Sequence, residues 1–310
     1  MDSELFLIIN PGSGEHDAAQ TRDLLTAVFT QAGRKHRFVD LGKPPGLEAA
    51  SDRAAADAAA CGGALVGAGG DGTINAVASA ALRHGCLFGV LPQGTFNYFG
   101  RTHGISQDLE AAARALLHAQ EEPVQVGEVN GRVFLVNASL GLYPQLLQDR
   151  EAFKQRFGRH RWVAVLSGLV TLFEWRRQLV LDIEEGGERR TITTPTLFVG
   201  NNRLQLDRIG IEGEASAATG TGRLTAVVVR PIGNLRMLGL LLRGAFGRLG
   251  EADQVDSFAF RSLTVRMRRR RVKLATDGEV GVASTPLLFR IAAAPLRLLL
   301  PRLEDRVPVE

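Results

Sequence analysis

Apolar and polar positions follow two regimes along this chain. In the first third, short continuous apolar runs alternate with longer stretches of helical spacing. Leu5–Ile9 is an apolar run that stops at Asn10-Pro11-Gly12-Ser13-Gly14. The next stretch, to about Ala32, puts Leu24, Leu25, Val28 and Phe29 on one helical face, with Gly33 placed to end it. Arg37–Leu41 reads as a second strand, Leu47–Ala60 as an alanine-rich helix, and Ala64–Ala68 as a third strand. Gly69-Gly70-Asp71-Gly72 leads into a helix over Thr73–His84 with Gly85 as its stop, then a strand over Leu87–Leu91 ending at Pro92. A further loop precedes a helix over Gln107–Gln120. Strand, loop and helix repeating in this way predict an α/β domain built on a parallel sheet with helices on its faces.

Beyond Pro123 the period changes from helical to alternating. Val124–Val129, Asn130-Gly131 and Val133–Val136 form a hairpin signal, because Asn-Gly supplies the positive φ values of a type I′ turn. Leu179–Ile183 and Thr191–Val199 flank a Gly186-Gly187 turn. Further short strands are expected at Leu224–Val229, Phe258–Val265, Val272–Ala275, Leu287–Ile291 and Leu296–Leu300, with helical stretches near Phe153–Arg177 and Leu235–Arg248. This pattern predicts a mostly antiparallel, β-rich second domain. The expected domains are 1–122 and 123–310, with the last segment able to return to the first.

Composition narrows the class. At 310 residues, 45% hydrophobic and 23% charged, the chain has the make-up of a folded globular protein of about two domains. Its 35 glycines against 12 prolines, without a repeat, point to tight backbone turns. The net charge of +4 is too weak to imply nucleic acid and is compatible with anionic small molecules or an anionic membrane surface. Cys61 and Cys86 cannot build a disulfide framework, and the scattered histidines offer no zinc spacing. Met1-Asp2-Ser3-Glu4 is acidic where a secretory signal carries positive charge. The longest apolar-rich stretch, Trp162–Phe173, falls short of the roughly 20 residues of a spanning helix. A soluble, cytoplasmic chain is expected.

Three glycine-rich loops follow apolar strands: Asn10–Gly14, Gly67–Thr73 and Gly94-Thr95. In an open α/β sheet, ligands bind beyond the carboxyl ends of the strands, and glycine lets backbone N–H groups approach a phosphate. Gly67–Gly72 formally matches G-x-G-x-x-G, yet the following strand lacks the acidic residue that would hold a dinucleotide ribose. There is no G-x-x-x-x-G-K-[ST] loop and no G-x-S-x-G elbow, which excludes a P-loop enzyme and the usual serine hydrolase. An acid among phosphate-cradling glycines, Asp71, fits Mg²⁺ or a catalytic role beside a polyphosphate.

Those residues carry a family resemblance. Gly69-Gly70-Asp71-Gly72-Thr73-Ile74-Asn75 resembles the signature of the diacylglycerol kinase catalytic-domain family, including bacterial lipid kinases of the YegS/BmrU type. Asn10–Gly14, Leu91-Pro92-Gln93-Gly94-Thr95-Phe96-Asn97 and Asp277-Gly278-Glu279 resemble three further family segments, in order along the chain. Gly-Gly-Asp-Gly-Thr alone also occurs in NAD kinases and phosphofructokinases; the four segments together are specific. The resemblance implies an ATP-dependent kinase acting on a lipid hydroxyl. It also implies an α/β nucleotide domain, a β-sandwich-like second domain, and a site in the cleft between them. Asn10, Pro11, Gly12, Ser13, Gly14, Gly69, Gly70, Asp71, Gly72, Thr73, Ile74, Asn75 and Thr95 would line the ATP site, with Asp71 meeting Mg²⁺ through the nucleotide. Glu279 matches the proton acceptor, and Asp277 is the competing candidate. Standing alone, Asp-Gly-Glu is an ordinary hairpin turn.

The chain departs from the family at Tyr98, where an Asp often follows the Asn, and at Thr221, which occupies the Asp position of a second-domain magnesium site. An NAD-kinase-like activity and a regulator without turnover are the competing functional readings. The basic run Arg266, Arg268, Arg269, Arg270, Arg271 and Lys273 reads as a solvated strand face, with phospholipid headgroups as the functional alternative. Arginines flanking Trp162, Leu166, Leu169 and Phe173 suggest a core helix or a lipid-facing one. The expected partner is a lipid substrate at an anionic membrane surface.

Overall fold

The structure, a computed structural model, describes residues 3–10, 18–42, 46–142, 144, 178–231, 233, 239 and 253–309. Pro11, Gly12, Ser13 and Gly14, and the helical stretches expected at Phe153–Arg177 and, apart from Gly239, Leu235–Arg248, lie outside the described residues. The chain divides into two compact units, Met1–Val126 with Ala293–Glu310, and Gly127–Ala292.

The first unit is an α/β layer structure. In chain order it comprises β1 (Leu5–Ile9), α1 (Ala18–Gln31), β2 (His36–Phe38), α2 (Gly46–Cys61), β3 (Ala64–Gly69), α3 (Asp71–His84) and β4 (Leu87–Pro92). Then come α4 (Tyr98–Thr102), α5 (Leu109–Leu117), β5 (Gln120–Val124) and, from the far end of the chain, β18 (Leu296–Leu300). The sheet order is β2-β1-β3-β4-β18-β5. β1, β3 and β4 are buried along their whole length, as expected of parallel strands covered on both faces. α2 packs on α3, and α1 on α5. The helix expected at Gln107–Gln120 ends at Leu117, and its last residue opens β5. Glu122 and Pro123, where the sequence suggested a boundary, lie within that strand, and the expected strand Val124–Val129 is divided between the two units.

β18 runs parallel to β4 and antiparallel to β5, so a segment from the end of the chain sits inside the first sheet. Arg297 grips Glu121 at 2.6 and 3.0 Å and the Gly85 carbonyl at 2.9 Å. Arg306 binds Glu122 and the Pro301 carbonyl, and the Val307 N–H reaches the Gly104 carbonyl at 2.9 Å. Beside this strap the His103 ring stands edge-on to Phe99. Burial, helped by the Arg306 guanidinium, pushes the His103 imidazole down to about 4. An unfolded chain therefore takes up a proton below about pH 6.5 that the folded unit refuses until about pH 4. Stability is expected to fall across that window as pH drops, by up to about 3 kcal/mol. Melting curves of the wild type and His103→Leu between pH 7 and 4 check this; the variant should lose that part of the slope.

Among its described residues the second unit holds two antiparallel sheets. One is β10-β9-β14-β17-β6-β7 and the other β13-β12-β11-β8-β15-β16, six strands each. Their ranges are β6 Gly127–Val129, β7 Arg132–Phe134, β8 Asn137–Gly141, β9 Leu179–Glu185, β10 Glu188–Thr194, β11 Thr196–Gly200 and β12 Leu224–Val229. The remainder are β13 Val255–Phe260, β14 Ser262–Arg266, β15 Arg271–Thr276, β16 Glu279–Ser284 and β17 Leu287–Ile291. One core takes side chains from both sheets, among them Phe134, Leu140, Ile183, Val199, Phe260, Leu274 and Phe289. Two short helices, α6 (Arg203–Arg208) and α7 (Glu214–Ala218), follow β11.

Two expected strands are each broken in two. Thr191–Val199 becomes β10 and β11, which belong to different sheets and change over at Pro195, whose missing N–H suits a break in pairing. Phe258–Val265 becomes β13 and β14, changing sheet at Arg261. The turns at Asn130-Gly131 and Gly186-Gly187 have the positive φ values of type I′.

Candidate active site

In the order β2-β1-β3-β4 the chain steps from β1 to one side and returns to the other, so the topological switch point lies between β1 and β3. Asn10 follows β1, and Gly70-Asp71 follows β3, so both stand at the carboxyl ends that flank this point. The Asn10 Nδ2 group donates to the Thr73 hydroxyl at 3.0 Å and bridges the two strand ends. α3 starts from Gly70 in extended backbone with no side-chain cap, whereas α5 is capped by Asp108 and α6 by Asn202. The start of α3 thereby keeps backbone N–H groups that no side-chain cap takes up, as an anion requires.

The loop after β4 closes on the same place. A Cβ on Gly94 would stand 2.7 Å from both the Gly70 Cα and the Asn97 Oδ1, so the two loops touch backbone to backbone. Asn97, in left-handed backbone at φ 49°, accepts from the Gly94 N–H at 2.8 Å and donates to the Gly94 carbonyl at 2.7 Å and to Gln107 at 2.6 Å. Its own N–H donates to the Asp71 carboxylate at 3.0 Å, which fixes that acid in the first turn of α3. Gln93 donates to the Thr21 hydroxyl at 2.9 Å and ties the loop to α1. Ile74 is buried against Gly67, and the Asn75 side chain accepts from Ser79. Thr95 is exposed at the loop tip. Tyr98 stacks on exposed Phe96, the rings 2° from parallel.

In the second unit, Asp277-Gly278 is the type I′ turn joining β15 to β16, with φ values of 48° and 89°. The Asp277 carboxylate accepts three backbone N–H groups: Leu135 at 2.7 Å, Val136 at 2.9 Å and Asn137 at 2.9 Å. Its N–H donates to the Asn137 carbonyl at 2.9 Å. Asp277 thus binds the segment between β7 and β8 to the β15–β16 turn. Glu279 is exposed, and its carboxylate has no hydrogen bond or ion pair among the described residues. A buried polar group of Asn137, Asn201, Asn202 and Gln205 borders this turn, with Asn137 donating to Gln205 at 3.0 Å and Asn201 to the Leu135 carbonyl at 2.9 Å. The Thr221 hydroxyl donates to the Ala218 carbonyl at 2.8 Å.

Sequence reasoning placed Asn10, Gly69, Gly70, Asp71, Gly72, Thr73, Ile74, Asn75 and Thr95 in one site, and these lie together around the β1, β3 and β4 ends. It did not single out Asn97, Gln93 or Gln107 as the residues that shape the loop. Asn directly before a helix, where left-handed backbone is tolerated, was the signal available for Asn97. It also missed the Asn137–Gln205 group, whose members are far apart in the chain.

This is the architecture of solved diacylglycerol kinases. The crystal structure of a diacylglycerol kinase from Bacillus anthracis superposes with a TM-score of 0.69 at 17% sequence identity, covering 96% of this chain and 97% of that one. Residues 4–129 match the model of the diacylglycerol kinase catalytic domain. The chain is 39% identical over 88 residues to a diacylglycerol kinase of Bacillus subtilis, 27% of this chain and 29% of that protein. It is 37% identical over 79 residues to a Klebsiella pneumoniae protein named "Probable lipid kinase YegS-like", 25% of this chain and 27% of that protein. These sequence likenesses span less than a third of either relative.

Proposed function

We propose that this chain is an ATP-dependent lipid kinase that phosphorylates a hydroxyl of diacylglycerol or a related lipid. The observation that carries the reading is the start of α3, free of a side-chain cap and framed by Asn10, Asp71 and Asn97 within the residues that match the catalytic domain. Backbone N–H groups and the positive end of α3 suit nucleotide phosphates. Asp71, held by Asn97, would meet the Mg²⁺ that accompanies them. Asn10, Thr73, Asn75 and Thr95 supply polar groups around it, and Pro11–Gly14 would complete it.

Glu279 serves as the general base. As the acceptor hydroxyl oxygen forms its bond to the γ-phosphorus, the bond from that phosphorus to the β–γ bridging oxygen breaks. The hydroxyl proton passes to Glu279, and nucleoside diphosphate leaves. Asp277 positions Glu279, because its carboxylate oxygens are engaged by three N–H groups.

No helix among the described residues is long and apolar enough to cross a membrane. A diacylglycerol-like substrate stays in the bilayer, so the kinase meets it at the surface. Arg268, Arg269, Arg270 and Arg271 are all exposed and suit an anionic interface. Assay of labelled phosphate transfer from ATP to a panel of extracted lipids tests the reading; transfer to no lipid overturns it.

Gly70→Val should abolish ATP binding while the chain stays folded. A Cβ at this position meets the Gly94 backbone, its Cα at 3.4 Å and its N at 4.0 Å, ordinary contacts, but the side chain would occupy the approach to the helix start. Calorimetric titration with ATP·Mg²⁺ checks it, and unchanged affinity would place the nucleotide elsewhere.

A further inference from the structure

We propose that Arg132 binds phosphoryl oxygens beside Glu279, an inference that rests on the lipid-kinase reading above. β7 and β16 are the edge strands of the two sheets of the second unit. The Arg132 guanidinium lies against β16 at Gly281, where a Cβ would stand 2.6 Å from its Nη1 and 3.8 Å from its Cζ. Any side chain at that position would displace it. Glu279 and Gly281 are two apart on one strand and present the same face, about 7 Å from one another along it.

Both groups are uncommitted. Arg132 is exposed and, like Glu279, makes no side-chain hydrogen bond or ion pair among the described residues. Three other arginines of this unit are engaged, Arg290 with Glu128 at 2.9 Å, Arg230 with Asp256 at 2.9 Å and Arg189 with Glu184 at 3.0 Å, whereas Arg132 lies over Gly281. A guanidinium lying over Gly281 and a carboxylate two strand positions from that glycine, with no ion pair between them among the described residues, can share an anionic group.

The spacing is also braced. Asp277 binds the backbone of Leu135–Asn137, which directly follows the strand of Arg132, and it begins the turn that leads to Glu279. One residue thus sets both the cation and the base. A planar guanidinium presents paired donors that match non-bridging phosphoryl oxygens. The phosphoryl group is either the γ-phosphoryl in transit or the phosphate monoester of the product.

Kinetics on the best lipid acceptor of the panel test this with Arg132→Gln, Arg132→Lys and Gly281→Ala. If Arg132 acts on the group in transit, Arg132→Gln lowers kcat about 10- to 100-fold with the KM for ATP little changed. If it holds the product, kcat changes less, and inhibition by the phosphorylated lipid weakens about tenfold. In either case Arg132→Lys recovers part of the loss, and Gly281→Ala reproduces the Arg132→Gln effect without adding to it. Melting temperatures should stay level, since the guanidinium is exposed. An active wild type with Arg132→Gln equal to it in kcat and in product inhibition overturns this inference alone. A wild type inactive on every lipid overturns the lipid-kinase reading and this inference with it.

Discussion

Glu279→Gln is expected to remove phosphoryl transfer, a loss on the order of 10²–10⁴ in rate, while melting temperature and ATP affinity stay unchanged. Glu279 is exposed and its carboxylate holds nothing among the described residues, so the isosteric amide takes away only the proton acceptor. Asp277→Asn is expected to fail differently. Asparagine tolerates the positive φ of 48°, so the turn itself is not the difficulty. One amide oxygen can still serve Val136 and Asn137, but the NH₂ group then faces the Leu135 N–H, donor against donor. Losing a charged acceptor and leaving that N–H unmatched costs roughly 2–3 kcal/mol. A domain of this size should then melt about 5–10 °C lower. Thermal melts and a labelled-ATP assay on both variants separate the roles. An Asp277→Asn protein that melts like the wild type but has no turnover, beside an active Glu279→Gln, would exchange them.

Removing residues 293–310 is expected to unfold the first unit. Leu296, Leu298, Leu299 and Leu300 are each at most 3% exposed, and they lie in the strand between β4 and β5. Burying a leucine contributes about 1.5–3 kcal/mol, so these four are comparable to the whole stability of a typical domain, about 5–15 kcal/mol. The deletion also strips β4 of one of its two strand neighbours and β5 of its only strand partner among the described residues. Leu298→Asp in the full chain should act in the same direction, because a carboxylate would be buried without a partner. Circular dichroism melts and limited proteolysis of both proteins check this. A truncated chain that keeps a cooperative melt and resists cleavage within residues 18–126 would show that β18 is dispensable.

What the sequence by itself determined is what short-range chemistry decides. The strand, loop and helix alternation of the first unit was legible because the apolar runs of β1, β3 and β4 are long enough to be buried on both faces, whereas β2, expected at Arg37–Leu41, covers only His36–Phe38 and is not buried. Gly33 and Gly85 ended their helices in left-handed backbone, and Asn130-Gly131 and Gly186-Gly187 set their hairpins. Glycine-rich stretches after the first, third and fourth strands marked the candidate site for the same local reason.

Only the tertiary structure decided which sheet a strand joins and which side chains meet. Phe258 and Phe260 are two apart, as are Leu263 and Val265, and the alternation slips between the pairs. That slip is visible in the chain, but packing of the shared core determines that it carries β13 into one sheet and β14 into the other. β18 pairs with β4 across about two hundred residues, a choice that no local propensity encodes. Asp277 and Glu279 are equivalent acids when read along the chain. They differ because three N–H groups some 140 residues earlier converge on one carboxylate and leave the other in solvent.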